Sequence, residues 1–169
     1  MERKGVVTFK GMPVTLQGRD IRVGDIAPNF TAIDKDMQAV RFDSLKGGVV
    51  IISAVPSLDT PVCELQTKRF NEEAAKLKVK LVTISMDLPF AQRRFCDSFK
   101  IENVIMLSDY KDREFGLRYG VYIDELGLLA RSVFIVDFEG RLAYKQIVKE
   151  IGEQPDYDAV LSEAGNLGA

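Results

Sequence analysis

The chain has 169 residues, 23 Lys and Arg against 25 Asp and Glu, a net charge of −2, two cysteines and no histidine. That length suits one domain with a proper core, and the near-balanced charge gives no pull toward nucleic acid or an anionic membrane. Without histidine, Cys-His hydrolases, Ser-His-Asp triads and histidine-ligated zinc are excluded, and two cysteines cannot complete a Cys₄ or Cys₃His site.

Residues 1–20 read as a β-hairpin: Val6-Val7-Thr8-Phe9, a Lys10-Gly11 turn, then Pro13-Val14-Thr15-Leu16. The opening Met1-Glu2-Arg3-Lys4-Gly5 has no apolar segment, so no signal peptide is expected. No apolar run approaches the roughly 18 residues of a membrane span. Gly24 to Phe30 reads as a loop entering the main body. Val49-Val50-Ile51-Ile52-Ser53-Ala54-Val55 is a continuous β-branched run, the pattern of a strand buried on both faces.

A helix is expected from about Thr60 to Leu77, with Val62, Leu65, Phe70, Ala74 and Leu77 as its apolar stripe. Lys80 to Met86 reads as a second buried strand. Pro89 to Phe99 reads as a helix whose stripe is Leu88, Ala91, Phe95 and Phe99, with Cys96 at its edge. Val104 to Leu107 is a third strand, and Glu114 to Tyr119 a short helix. Ser132 to Phe138 and Arg141 to Val148 form two strands joined at Glu139-Gly140, and Asp156 to Ala164 closes the chain as a helix. This order predicts an α/β protein: a mixed central sheet flanked by helices, one domain over residues 1–169 with the hairpin as an extension.

The chemistry concentrates where the first long strand meets the first helix, in Pro56-Ser57-Leu58-Asp59-Thr60-Pro61-Val62-Cys63. Thr60 suits the N-cap and Pro61 the first helical position. Cys63 then falls at the third helical position, facing free backbone N–H groups and the positive end of the helix dipole. Both favour thiolate over thiol. A nucleophile prepared in this way needs no separate base. Gln66, three residues on, lies over the same face, while Glu64 is turned away and reads as a solvated charge. Arg131 stands between Gly127-Leu128-Leu129-Ala130 and Ser132-Val133-Phe134-Ile135-Val136, so its charge should have a buried partner. Plainer readings exist for each residue. A buried cysteine, Cys96 included, is commonly a small hydrophobe. Thr60 caps a helix with or without chemistry, Pro56 can simply end a strand, and an arginine is normally a solvated charge.

A strand-helix order with a cysteine at the end of the first long strand resembles the thioredoxin fold. Pro56-x-x-x-Thr60-x-x-Cys63 resembles the signature of peroxiredoxins, and Ser57-x-Asp59-Thr60-x-Val62-Cys63-x-x-Gln66 resembles their thiol peroxidase branch, the atypical 2-Cys type. Further matching segments are Arg94-Phe95-Cys96, Ile101-Glu102-Asn103-Val104, Leu107-Ser108-Asp109, Tyr119-Gly120-Val121, Leu128-Leu129-Ala130-Arg131 and Pro155-Asp156-Tyr157. The likeness runs from about Gly5 to Leu161. Lys145 to Glu150 departs from the usual wording of the family.

The resemblance implies a peroxidase acting on hydrogen peroxide and organic hydroperoxides without a cofactor or metal. Cys63 would be the peroxidatic residue and Cys96 the resolving residue of the same subunit. Thr60 and Arg131 would hold thiolate and peroxide, and Pro56 would shield the pocket. Reduction by thioredoxin, a homodimer and a cytoplasmic location are implied as well. The alternative class is a thiol switch or binding protein on the same scaffold, without turnover; a dithiol reductase is weakened by the lack of Cys-x-x-Cys.

Overall fold

The computed structural model describes residues 1–167, apart from the side chain of Ala74. The N-terminal hairpin pairs β1 (Glu2–Phe9) with β2 (Met12–Gln17). Lys10, in the left-handed region, and Gly11 make the turn. The hairpin is longer than the sequence pattern suggests. It is also extended into a four-stranded sheet by β8 (Tyr122–Ile123) and β9 (Leu128–Leu129). A Cβ at Gly18 would overlap the Leu117 carbonyl, so only glycine lets the hairpin exit pass this close.

The main sheet contains β3 (Thr31–Asp34), β4 (Ala39–Arg41), β5 (Val50–Ala54), β6 (Lys80–Ser85), β7 (Ile105–Ser108), β10 (Ser132–Val136) and β11 (Leu142–Ile147). Its order is β11-β10-β5-β6-β7-β3-β4. Strands β5, β6 and β7 run parallel, and the outer pairings are antiparallel. The sheet is therefore mixed, as expected. Strand β5 is buried at every position because it is central, with β10 on one side and β6 on the other.

Alternation along these strands separates two faces. Val50, Ile52, Ala54, Ile84, Leu107 and Phe134 face a core shared with the hairpin and with α3 (Glu114–Arg118). There Phe115 stacks on Tyr119 at 4.6 Å between centroids, and Phe30 on Phe42 at 5.0 Å. Fully burying an aromatic or aliphatic side chain of this size contributes about 1.5–3 kcal/mol. The opposite face, through Ile51, Leu81, Val133 and Ile135, packs on α1 (Pro61–Ala74) and α4 (Tyr157–Asn166). A third cluster, at the C-terminal ends of the parallel strands, joins Val55, Leu58, Cys63, Phe95, Cys96, Ile101 and Met106, with α2 (Pro89–Phe99). Among the described residues no helix is long and apolar enough to cross a membrane.

Both helix stripes expected from the sequence are corrected. On α1, Leu65 is 54% exposed, and Cys63, Gln66, Thr67 and Phe70 are buried instead. Val62 and Leu77 are half-buried; the side chain of Ala74 lies outside the described residues. The first two turns of α1 face Ser53 and Arg131, so their inward positions carry polar partners. On α2, Leu88 and Ala91 are exposed and Phe99 is 37% exposed, while Pro89, Gln92, Phe95 and Cys96 are buried. Gln92 donates to the Leu107 carbonyl at 2.7 Å and to Ser85 Oγ at 3.1 Å, which draws that ridge inward. Cys96 therefore lies on the buried face and not at its edge.

Candidate active site

Val55 and Pro56 leave β5 buried, and the chain turns through Ser57 and Leu58 into Thr60. Thr60 is extended (φ −133°, ψ 149°) and caps α1; its Oγ1 accepts from the Cys63 N–H at 3.4 Å and donates to the Ser57 carbonyl at 3.1 Å. Pro61 fills the first helical position, where a missing N–H costs nothing. Cys63 is thus at the third helical position, with no solvent exposure.

Arg131, on the loop between β9 and β10, is 2% exposed. Its three donor atoms all have partners: Nη2 to Cys63 Sγ at 3.1 Å, Nη1 to Gln66 Oε1 at 2.8 Å, and Nε to the Ile151 carbonyl at 2.9 Å. Gln66 in turn donates to Ser53 Oγ at 2.7 Å, which fixes its amide so that the oxygen faces the guanidinium. Among the described residues no carboxylate pairs with Arg131.

A cavity of about 350 Å³ opens in front of this cluster. Pro56, Thr60 and Arg131 line it, together with Phe9, Leu128 and Ile151 among others. The hairpin reaches it because Thr8 N–H donates to the Lys149 carbonyl at 2.7 Å and Ile151 N–H to the Thr8 carbonyl at 3.0 Å. The Glu150 carboxylate clasps the same junction, accepting from Thr8 Oγ1 at 2.9 Å, Gly11 N–H at 2.8 Å and Gly152 N–H at 3.1 Å. These bonds hold the Glu150 carboxyl below the usual carboxylate range, the Gly11 amide most of all.

Cys96 is a free thiol, as is Cys63. Burial pushes the Cys96 thiol up, Asp97 adds to this, and Lys35 opposes it. Tyr157, at the start of α4, stands edge-on to Phe70 at 5.2 Å. Burial pushes its phenol up to about 12 against the charges of Arg131 and Arg69. Glu64 is not free in solvent: it pairs with Lys68 at 2.9 Å, half-exposed. Among the described residues no group of three or more Cys, Asp or Glu side chains is placed to hold a metal.

The structure brings Cys63, Thr60, Arg131 and Pro56 into one place and puts Cys96 in the same apolar cluster as Cys63. Reading the sequence alone left the Ile151 carbonyl and Glu150 out of the site. Gln66 is signalled by its three-residue spacing from Cys63; Glu150 has no local signal, because Thr8 and Gly11, which tie it to the hairpin, are about 140 positions away.

The chain is an α/β protein built round a buried thiol at a helix N-terminus, with an arginine against the sulfur. The Redoxin family profile matches residues 22–161, and the chain belongs to that family. It is 48% identical over 161 residues to a thiol peroxidase of Staphylococcus aureus, covering 95% of this chain and 98% of that one. It is 50% identical over 162 residues to the thiol peroxidase of Bacillus subtilis, covering 95% and 97%. A solved peroxiredoxin-like protein from Aquifex aeolicus superposes with a TM-score of 0.91 at 48% identity over 98% of both chains. A thiol peroxidase from Chromobacterium violaceum shares the fold, with a TM-score of 0.86 at 22% identity over 96% of this chain and 98% of that one. The thioredoxin-like fold expected from the sequence is thereby shown.

Proposed function

We propose that the protein is a thiol peroxidase that reduces hydrogen peroxide and organic hydroperoxides through Cys63. The observation that carries the reading is the 3.1 Å contact of Arg131 Nη2 with Cys63 Sγ, inside a site where the guanidinium has no carboxylate. The buried guanidinium donates to the sulfur, and Gln66 Oε1 and the Ile151 carbonyl fix its fork there. The same fork can steady charge developing on the peroxide oxygens.

In this reading the thiolate attacks the terminal oxygen of the hydroperoxide. The S–O bond forms, the O–O bond breaks, and the departing alkoxide or hydroxide takes a proton from solvent. Cys63 is left as sulfenic acid. Thr60 Oγ1 and the guanidinium hold the peroxide in line, and Pro56 keeps water off the sulfur. The Cys96 thiol then attacks the sulfenic sulfur; the S–S bond forms, and the hydroxyl leaves as water with the Cys96 proton. A thioredoxin-type dithiol returns both cysteines to thiols and is itself oxidised to a disulfide. A homodimer of single-domain subunits completes the reading.

Hydroperoxide consumption coupled to thioredoxin oxidation is the test. Turnover lost on Cys63→Ser supports the peroxidase. Stoichiometric oxidation of Cys63 without turnover means a redox switch on this scaffold.

A further inference from the structure

Asp87 stands between the two helices that carry the cysteines. It lies two residues beyond the end of β6 and precedes Leu88, the N-cap of α2. Its carboxylate accepts three hydrogen bonds: Oδ1 from Ser57 Oγ at 2.8 Å, and Oδ2 from the Leu58 N–H at 2.8 Å and from Ser85 Oγ at 2.8 Å. Two of those donors belong to the turn that leads into α1. The Ser57 carbonyl accepts from Thr60 Oγ1, and that hydroxyl accepts from the Cys63 N–H. On the other side, Ser85 Oγ accepts from Gln92 of α2, and the Asp87 carbonyl accepts from Ser108 Oγ at 2.5 Å. An unbroken chain of bonds thus runs from α2 through Ser85, Asp87, Ser57 and Thr60 to the backbone of Cys63. Among the described residues no cation pairs with the Asp87 carboxylate.

Beside this tie lies a groove of about 340 Å³ between the turn and α2, bounded by Ser57, Asp59, Glu64, Asp87, Arg94 and Phe95. The two elements are therefore joined by the carboxylate beside open space, and cutting the bonds leaves room for relative movement.

We propose that Asp87 is a positioning residue that holds the Cys63 turn on the head of the Cys96 helix. It keeps the cap and sulfur set for attack on peroxide, and it opposes the movement that brings the two sulfurs together. The inference rests on the peroxidase reading. Its consequence is a race at the sulfenic acid. Either Cys96 displaces the hydroxyl as water and a disulfide forms, or a second hydroperoxide transfers an oxygen to the sulfur, loses its O–O bond and leaves sulfinic acid. Loosening the tie slows attack on peroxide and quickens resolution, so both changes favour the disulfide.

The test uses the full chain with Asp87→Asn, which keeps the shape but replaces one acceptor oxygen by an amide, and Ser57→Ala as a milder cut of one bond. Rapid mixing gives the first-turnover rate and the rate of disulfide formation. Mass analysis gives the peroxide concentration at which half of Cys63 becomes sulfinic during turnover. Loss of a hydrogen bond to a charged group corresponds to about a tenfold to hundredfold change in an equilibrium. We expect first-turnover rates to fall by about that factor, disulfide formation to rise, and the half-sulfinic concentration to rise about fivefold or more, with Ser57→Ala intermediate. Slowing of both steps together would mean general loosening of the fold and overturns the inference. Variants with an unchanged or lowered half-sulfinic concentration overturn the inference while leaving the peroxidase reading intact. A wild-type protein that consumes no hydroperoxide overturns both.

Discussion

Arg131 Nη2 lies 3.1 Å from Cys63 Sγ, although the two residues are 68 positions apart in the chain. Gln66 Oε1 and the Ile151 carbonyl occupy the other two sides of the guanidinium, so its orientation is set by three fixed acceptors.

That orientation makes Arg131→Lys a severe change. Lysine keeps the charge but has no planar fork to span the sulfur and the Gln66 oxygen. Removing one well-placed transition-state donor costs on the order of 10²-fold in rate. Stopped-flow measurement of kcat/KM for hydroperoxide should show a loss of that size. A variant within about threefold of wild type would mean that the guanidinium serves only to hold the fold.

The two cysteines should divide the reaction. Cys63→Ser abolishes peroxide reduction, because a serine hydroxyl is far from ionised at neutral pH. Cys96→Ser consumes one equivalent of peroxide and stops at sulfenic acid. A sulfenic-specific probe in a single turnover distinguishes the two, and a Cys96→Ser protein inert in that first turnover would refute the division.

We predict that joining the sulfurs requires movement. Cys63 and Cys96 are both buried, on separate packed helices, and a disulfide needs Cα atoms about 4.4–6.8 Å apart. On chain entropy alone, a cross-link across this loop would stabilise the fold by roughly 3–4 kcal/mol. The measured gain from urea unfolding of reduced and oxidised protein should fall short of that, with faster amide exchange around Cys96 after oxidation. The full gain with unchanged exchange would show thiols already placed to bond.

Asp109 gives the fold a pH dependence of its own. Its carboxylate accepts from the Phe115 and Gly116 amides at 3.1 and 2.8 Å, yet it is only 1% exposed. Burial raises its pKa from 3.8 to about 6; the Gly116 and Phe115 amides oppose this, and Glu114 and Asp112 add to it. A raised acid favours the protonated folded form. Its stabilising effect is therefore complete below about pH 4, declines between 4 and 6, and is absent above. The displacement corresponds to about 3 kcal/mol. In urea unfolding at pH 4 and pH 7, wild type should lose up to that much more than Asp109→Asn. Parallel losses in the two proteins would rule this out.

What could be read in the sequence was what local chemistry determines. Thr60, Pro61 and Cys63 fall within four residues, and their capping geometry follows from residue type. Arg131 was marked for burial by the apolar runs on both sides of it. Periodicity misled on α1 and α2, because both helices turn polar or thiol side chains inward: Gln66 to Ser53 and Arg131, and Gln92 to Ser85 and Leu107. Strands β8 and β9, two residues each, have no pattern to detect, and β4 is exposed at both ends. Asp87 and Glu150 could not be recognised, since the partners that give them their roles, Ser57 and Leu58 for one and Thr8 and Gly11 for the other, are brought to them only by the finished topology.

The clasp at Glu150 also has a bearing on when the site comes into being. Thr8, from the first strand, fixes Ile151, and Ile151 supplies the carbonyl that fixes Arg131. Contacts this distant in sequence form late and close slowly. During synthesis the helix bearing Cys63 emerges long before residue 151, so its thiol is present while the guanidinium still lacks its backing. Reactivity toward peroxide is in this sense a property of the completed chain, withheld from the nascent one until its two ends have met.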